Sequence, residues 1–283
     1  MNCRSINYYF NKRILNLILL SITVISFNCQ KVVSIDLNAA NPKLVIDANI
    51  TDQSGPYNII LSKSGDYFEP ILTFPPVSNA KVIVSDDLGR IDTFKESSVA
   101  GIYKSSTLIG QSKRTYFLNV TAEGNSYSAV SYMPEKVKID SLFYIKRLGS
   151  RFDEAGYDIY VMFKDPPELG NYYRLNVHAG YLVPSDSVDG RRYRLYSDKL
   201  TNGNEMEERI RAGRLVVTGD TITVDLLSID KATYDYFNTL RDILTSEGAA
   251  TSLAPANPNT NLSNGALGYF AAYTMDRKTI ILQ

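Results

Sequence analysis

Side chains that commonly bind metals or act as nucleophiles are scarce in this chain. Its 283 residues include one histidine, two cysteines and no tryptophan. These counts exclude a metal site with two histidine ligands and a zinc site built from histidine and cysteine. We therefore predict neither a metal nor another cofactor.

His178 is the one histidine, and it lies in a segment that alternates apolar and polar residues. Alternation places it on a polar strand face with Arg174 and Asn176, where a solvated histidine is the favoured interpretation. A Ser-His-Asp triad would have to use His178, but the sequence contains no G-x-S-x-G motif. Phosphate-binding glycine motifs are also absent. A catalytic pair of carboxylates stays an alternative, but the sequence singles out no two of its acidic residues for that role. We therefore predict no catalytic residues and no enzyme.

Cys29 has the most specific chemistry in the sequence. Residues 1–28 contain two adjacent basic residues, then a mainly apolar run from Ile14 to Phe27, and no acid. This order is typical of a secretory signal peptide, and the run is shorter than the ~20 residues of a membrane-spanning helix. Cleavage before Cys29 would make the only remaining thiol the first residue, as lipid attachment requires. We predict a lipoprotein signal peptide over residues 1–28, with Asn28 at a position where a small residue is usual.

The leader also changes the charge of the chain. Lys and Arg number 30, as do Asp and Glu. Removing Arg4, Lys12 and Arg13 with the leader would leave 27 basic and 30 acidic residues, a net charge of −3. A mildly acidic exported protein is poorly suited to nucleic acid or to anionic surfaces. We expect no nucleic-acid partner, and contact with the membrane only through an N-terminal lipid.

The mature chain is predicted to be mainly β. Residues 29–43 have few apolar positions and are interpreted as a tether. About seven short alternating segments over residues 44–133 predict a β-sandwich domain. Its clearest hairpins are expected near residues 80–94 and 116–132, each around a polar, glycine-containing turn.

A second β-rich domain is predicted over residues 138–283. Its one convincing helix has Asp230 as N-cap and Gly248 near its C-terminus. The segment 205–214 is compatible with helix or strand, and the chain should close with one or two strands. The Asn- and Pro-rich loop after the helix is either functional or mobile.

Two surface features are candidate partner-binding sites. The first is a loop with aromatic residues, and the second is a concentration of Tyr and Arg, two residue types enriched at interfaces. Aromatic residues packing back onto the sandwich and an ordinary solvated strand face are the alternatives. The candidate residues are Tyr67, Phe68 and Phe74 in the loop, and Tyr172, Arg174, Arg192, Tyr193 and Arg194 in the second group.

Several segments resemble a family of uncharacterised outer-membrane lipoproteins from Bacteroidetes-type bacteria, a domain-of-unknown-function family often encoded beside TonB-dependent receptors. The segments are residues 32–68, 75–89, 103–129, 228–240 and 261–274, ending in NLSNGALGYFAAYT. The resemblance spans nearly the whole mature chain and implies an immunoglobulin-like or carboxypeptidase-regulatory-like N-terminal sandwich. It supplies no catalytic residues.

The resemblance and Cys29 together lead to a functional expectation. We expect a non-enzymatic, lipid-anchored outer-membrane protein that is an accessory or ligand-binding partner of a TonB-dependent transporter in nutrient uptake. A free-standing surface adhesin or glycan-binding module is the alternative, although the absence of Trp weakens it. The sequence leaves open the ligand, and whether the protein faces the periplasm or the cell surface.

Overall fold

The described part of the protein is mainly β, as the alternation predicts. The computed structural model describes residues 42–65, 74–149, 155–179, 193–212, 217–246 and 257–283. Cys29, Tyr67, Phe68 and Arg192, with the predicted signal peptide and most of the tether, lie outside these ranges. The described residues contain fourteen strands and one α-helix.

The first half contains seven strands, the number that the alternation indicates. They are β1 (Leu44–Thr51), β2 (Asn58–Lys63), β3 (Lys81–Asp86), β4 (Ile91–Glu96), β5 (Ile102–Lys104), β6 (Arg114–Ala122) and β7 (Asn125–Met133). The predicted hairpins are the antiparallel pairs β3–β4 and β6–β7. Both are thus confirmed.

The second half contains seven strands, the helix and a short 3-10 turn at Asp198–Leu200. The strands are β8 (Ile139–Arg147), β9 (Gly156–Lys164), β10 (Tyr172–Ala179), β11 (Tyr193–Ser197), β12 (Glu205–Ala212), β13 (Thr221–Ile229) and β14 (Leu267–Ile281), and the helix is α1 (Lys231–Ser246). The undecided segment 205–214 is therefore strand over 205–212. The chain closes with one long strand.

Helix α1 starts where its capping residue predicts. A carboxylate oxygen of Asp230 accepts a hydrogen bond from the backbone N–H of Thr233 at 2.8 Å. This contact satisfies one of the N–H groups that a helix start leaves without an intrahelical partner. The proposed terminator Gly248 lies outside the described residues.

The strands form two sheets. The larger has the order β11-β10-β13-β14-β1-β2-β5-β4-β3-β6-β7, and the smaller has the order β12-β9-β8. Strand β14 joins the two halves of the larger sheet. Its residues 267–273 pair in parallel with β1, and its residues 274–281 pair antiparallel with β13.

Three groups of buried side chains hold these layers together. The first fills the N-terminal half and includes Phe270 of β14. The second packs β9 of the small sheet against β10 and β13, where Ile159, Leu175 and Val224 are fully buried. The third lies between the opposite face of β10 and β13 and helix α1, around Phe237. The sheet around β13 is therefore a middle layer with cores on both faces.

Part of the Asn- and Pro-rich loop is tied to this framework. The side-chain amide of Asn261 donates hydrogen bonds to the carbonyls of Val130 at 3.1 Å and Phe270 at 2.8 Å. Its oxygen accepts one from the backbone N–H of Phe270 at 3.0 Å, and the neighbouring Leu262 is buried. Residues 257–266 thus pack against β7 and β14, while residues 247–256 lie outside the described ranges.

Candidate functional site

A cleft of about 670 Å³ lies on the face of the large sheet that α1 partly covers. Its volume is within the range of small-molecule sites. The sheet strands β11, β10, β13, β14, β1 and β2 all contribute side chains, so both halves of the chain build it. The lining residues are Asp47, Asn49, Pro56, Tyr57, Asn58, Ile60, Arg174, Asn176, His178, Tyr193, Asp225, Leu227, Tyr236, Phe237, Leu240, Tyr269, Tyr273, Met275 and Arg277.

Strand register assembles the polar part of the cleft. Asn176 of β10 lies opposite Tyr193 of β11 and Asp225 of β13, and Asp225 lies opposite Arg277 of β14. Because directly paired residues point to the same face of a sheet, these four side chains form one row across four strands. A shift of one residue in any pairing would send part of this row to the opposite core.

Asp225 is the centre of a charged cluster in this row. Its side chain is almost fully buried, and Oδ1 and Oδ2 accept hydrogen bonds from Nε and Nη2 of Arg277 at 2.5 and 2.8 Å. Nε2 of His178 lies 2.9 Å from Oδ2. The hydrogen bond to Asp225 raises the pKa of Arg277, because it stabilises the charged guanidinium. His178 is on the face that alternation predicts, but it contacts Asp225 and is partly buried rather than freely solvated.

Arg174 occupies the next row and packs on aromatic rings. Its guanidinium carbon lies 3.9 Å from the ring centroid of Phe237 and 4.8 Å from that of Tyr193. Both distances are within the range of cation–π attraction. Tyr193 is itself fixed, since its hydroxyl donates to the carbonyl of Phe237 at 3.0 Å. Arg174 therefore connects the sheet to α1.

Helix α1 and β14 provide an aromatic wall. The ring of Tyr269 lies 4.7 Å from that of Tyr236 and 4.9 Å from that of Phe237, between centroids. Burial, followed by the negative charge of Asp47, raises the pKa of Tyr236 to about 12 and raises that of Tyr269 strongly. The tyrosine hydroxyls of this wall thus stay protonated at neutral pH and can donate hydrogen bonds.

Two polar atoms in the cleft wall are buried without a hydrogen-bond partner among the described residues. They are Oδ1 of Asn176 and Nε of Arg174. Asn176 as a whole is 7% exposed. Buried polar groups in proteins are nearly always paired, so an unpaired amide in a cleft indicates a position at which a bound molecule or water completes the bonding.

The structure separates the sequence-predicted binding residues. Phe74 is 58% exposed at the edge of its loop and does not line the cleft. The ring of Tyr172 contacts that of Tyr234 of α1, with centroids 5.0 Å apart and planes tilted by 43°, outside the cleft, whereas Arg174 and Tyr193 line it. Arg194 is exposed and points to the other face of β11. Of the predicted residues that lie in the described ranges, Arg174 and Tyr193 alone are brought together in the cleft.

Sequence reasoning missed most of the cleft. Asp225 and Arg277 are separated by about fifty residues, and each looks like an ordinary charge in an alternating strand. Tyr236 lies in a helix whose sequence does not distinguish it from an ordinary packing residue. The one local signal was the polar face of β10, with Arg174 and Asn176 at alternate positions.

The described ranges contain no group of three or more His, Cys, Asp or Glu side chains placed to hold a metal ion. Among the same residues, no helix is both long enough and apolar enough to span a membrane.

Comparison with known proteins gives one family. Residues 30–279 match the model of a domain of unknown function, DUF4249. No curated protein matches the chain.

Proposed function

The chain belongs to the DUF4249 family, and we propose that it is a non-enzymatic ligand-binding lipoprotein of the outer membrane that assists a TonB-dependent transporter in nutrient uptake. The cleft beneath α1 is the observation that carries the binding role. It combines a small-molecule volume, an aromatic wall and a buried amide oxygen that has no partner in the described ranges. The membrane and transporter parts of the proposal depend on the sequence.

The arrangement of charges supports binding over catalysis. Asp225 accepts two hydrogen bonds from Arg277 and contacts Nε2 of His178, so its carboxylate oxygens are already engaged within the protein. Arg174 packs on the ring of Phe237. A general base or nucleophile needs a reactive lone pair aimed at a substrate, and these contacts favour a structural and recognition role instead.

Cys29 supports the anchoring part of the proposal. It follows a leader of the expected order and would be the only cysteine of the mature chain. Mass spectrometry of the mature protein should find an N-terminal acylated Cys29, and Cys29→Ser should abolish the modification. A mature protein that begins elsewhere, or an unmodified Cys29, would contradict the anchor.

Affinity purification tests the transporter partner. The full chain, tagged after Gln283, is purified from detergent-solubilised outer membranes of its own host, with Cys29→Ser as the control. We expect a TonB-dependent transporter to co-purify with the acylated protein and to be depleted with the variant. Recovery of the acylated protein without any transporter would reject the partnership and favour the alternative of a free-standing adhesin or glycan-binding module.

A further inference from the structure

We propose that the cleft binds a neutral saccharide. Its hydroxyls bond along the polar row that contains Asn176, and a sugar ring packs against Tyr236 and Tyr269 of the aromatic wall. This inference rests on the proposed ligand-binding function and adds the chemical class of the ligand. It is derived from the charge balance, the unpaired polar atoms and the shape of the lining.

The first step is the charge of the lining. The permanently charged side chains of the cleft are two aspartates, Asp47 and Asp225, and two arginines, Arg174 and Arg277. Their formal charges cancel, and Asp225 and Arg277 are paired directly. An ionic ligand would add a net charge to a partly buried cleft whose own formal charges sum to zero, and burying a net charge is unfavourable. The cleft is therefore suited to a ligand with no net charge.

The second step is the hydrogen-bonding pattern. Within the described part of the chain, Nε of Arg174 is a donor without a partner and Oδ1 of Asn176 an acceptor without one, and the two residues are alternate positions of β10. The lining also offers the amides of Asn49 and Asn58, each with donor and acceptor atoms. A hydroxyl group both donates and accepts, so a molecule bearing several hydroxyls matches a mixed set of this kind. Sites that bond hydroxyls in this way discriminate strongly against analogues that lack them.

The third step is the aromatic wall. Tyr236 and Tyr269 line the cleft with their rings 4.7 Å apart and tilted by 34°. A sugar ring has hydroxyls at its edge and C–H groups on its faces, so it can contact an aromatic surface while its edge bonds to polar groups. The polar row and the aromatic wall border the same cleft, as such a ligand requires. The chain lacks Trp, and its tyrosines supply the platform instead.

The test is direct binding to the full chain purified in detergent. The probes are maltotetraose, cellotetraose, xylotetraose and mannotetraose as neutral saccharides. Tetragalacturonic acid and the dipeptide Lys-Glu are the charged comparators, and adenosine is a neutral aromatic comparator. Calorimetry measures the affinity for each probe.

Two cleft variants and one control make the result specific. Asn176→Leu keeps the shape of the side chain and removes the amide, and Tyr236→Leu removes the ring. Thr274→Val is the matched control, because the hydroxyl of Thr274 is also buried with no partner in the part of the chain that the structure describes, but Thr274 does not line the cleft. We expect a neutral tetrasaccharide to bind, each cleft variant to weaken binding about tenfold or more, and the control to leave it unchanged.

The outcomes separate this inference from the proposed function. If only the charged probes or adenosine bind, and Asn176→Leu and Tyr236→Leu weaken that binding, a saccharide ligand would be overturned but the cleft would still be a ligand-binding site. Saccharide binding that Asn176→Leu and Tyr236→Leu leave intact would overturn the placement. Binding of none of the probes would overturn the inference, whereas the transporter partnership is decided independently by affinity purification.

Discussion

Arg277 and Asp225 face each other across β14 and β13 and are joined by two hydrogen bonds, Nε to Oδ1 at 2.5 Å and Nη2 to Oδ2 at 2.8 Å. The side chain of Asp225 is 4% exposed and that of Arg277 is 55% exposed. The pair is thus a buried carboxylate neutralised from the solvent side. It fixes β14 to β13 at the point where the cleft crosses them.

Breaking this pair should destabilise the protein. Arg277→Gln removes the charge that compensates Asp225 and leaves His178 as its neighbour. We expect the free energy of unfolding to fall by about 2 kcal/mol, since hydrogen bonds to charged groups contribute more than neutral ones but Arg277 is half exposed. Urea unfolding measures the change. Lys278→Gln, which removes an adjacent cation bonded only to the carbonyl of Asp140 among the described residues, is the control, and an equal loss in both variants would contradict the role of the pair.

Replacing Asn176 should stabilise the ligand-free protein. Asn176→Leu removes a buried oxygen that has no partner among the described residues, and we expect the free energy of unfolding of the ligand-free protein to rise by about 1 kcal/mol. Thr274→Val should give a similar gain for the same reason. If Asn176→Leu instead costs stability while Thr274→Val does not, the amide serves the fold and not a ligand.

Alkaline pH should lower the free energy of unfolding through the hydroxyl of Tyr236. The pKa of Tyr236 is raised from 10.0 to about 12, chiefly by burial. A group whose pKa is higher in the folded state contributes stability below its unfolded pKa, and this contribution is lost as the pH rises toward the folded value. We expect Tyr236 alone to account for a loss of about 1 kcal/mol between about pH 9 and about pH 11. Urea unfolding at the two pH values should show a smaller loss for Tyr236→Phe, and an equal loss would show that Tyr236 ionises normally.

Gly268 should be intolerant of any side chain. Its φ is +93°, and a Cβ there would collide with the carbonyl oxygen of Ile46 on the paired strand β1. We expect Gly268→Ala to lower the free energy of unfolding by about 3 kcal/mol or more. Gly265→Ala is the control, because Gly265 also has a positive φ but has open space around its Cβ position. Comparable losses in the two variants would mean that backbone conformation alone, and not the approach of β1, explains the effect.

Local patterns predicted the elements well and the site poorly. Alternation located β3, β4, β6 and β7 because each has one buried and one exposed face. Asp230 marked the start of α1 because a helix cap is a local interaction. These features depend on neighbouring residues alone.

The cleft depends instead on pairings between distant segments. Alternation placed His178 on a polar face, but its contact with Asp225 follows from the register of β10 on β13. Tyr193 and Arg194 are neighbours in a Tyr- and Arg-rich segment, yet strand geometry sends one into the cleft wall and leaves the other exposed. Neither register nor the sharing of β14 between two partner strands can be derived from the residues of one strand.

The parallel pairing of β1 with β14 has a mechanical consequence. Strand β1 is the first strand of the described residues, and it is bonded along one edge to β2 and along the other to β14. A pull on its N-terminal end, directed along the strand, loads these hydrogen bonds in shear, so many must yield together rather than one after another. A force applied through an N-terminal anchor would thus be resisted by the paired edges of β1 on both sides at once.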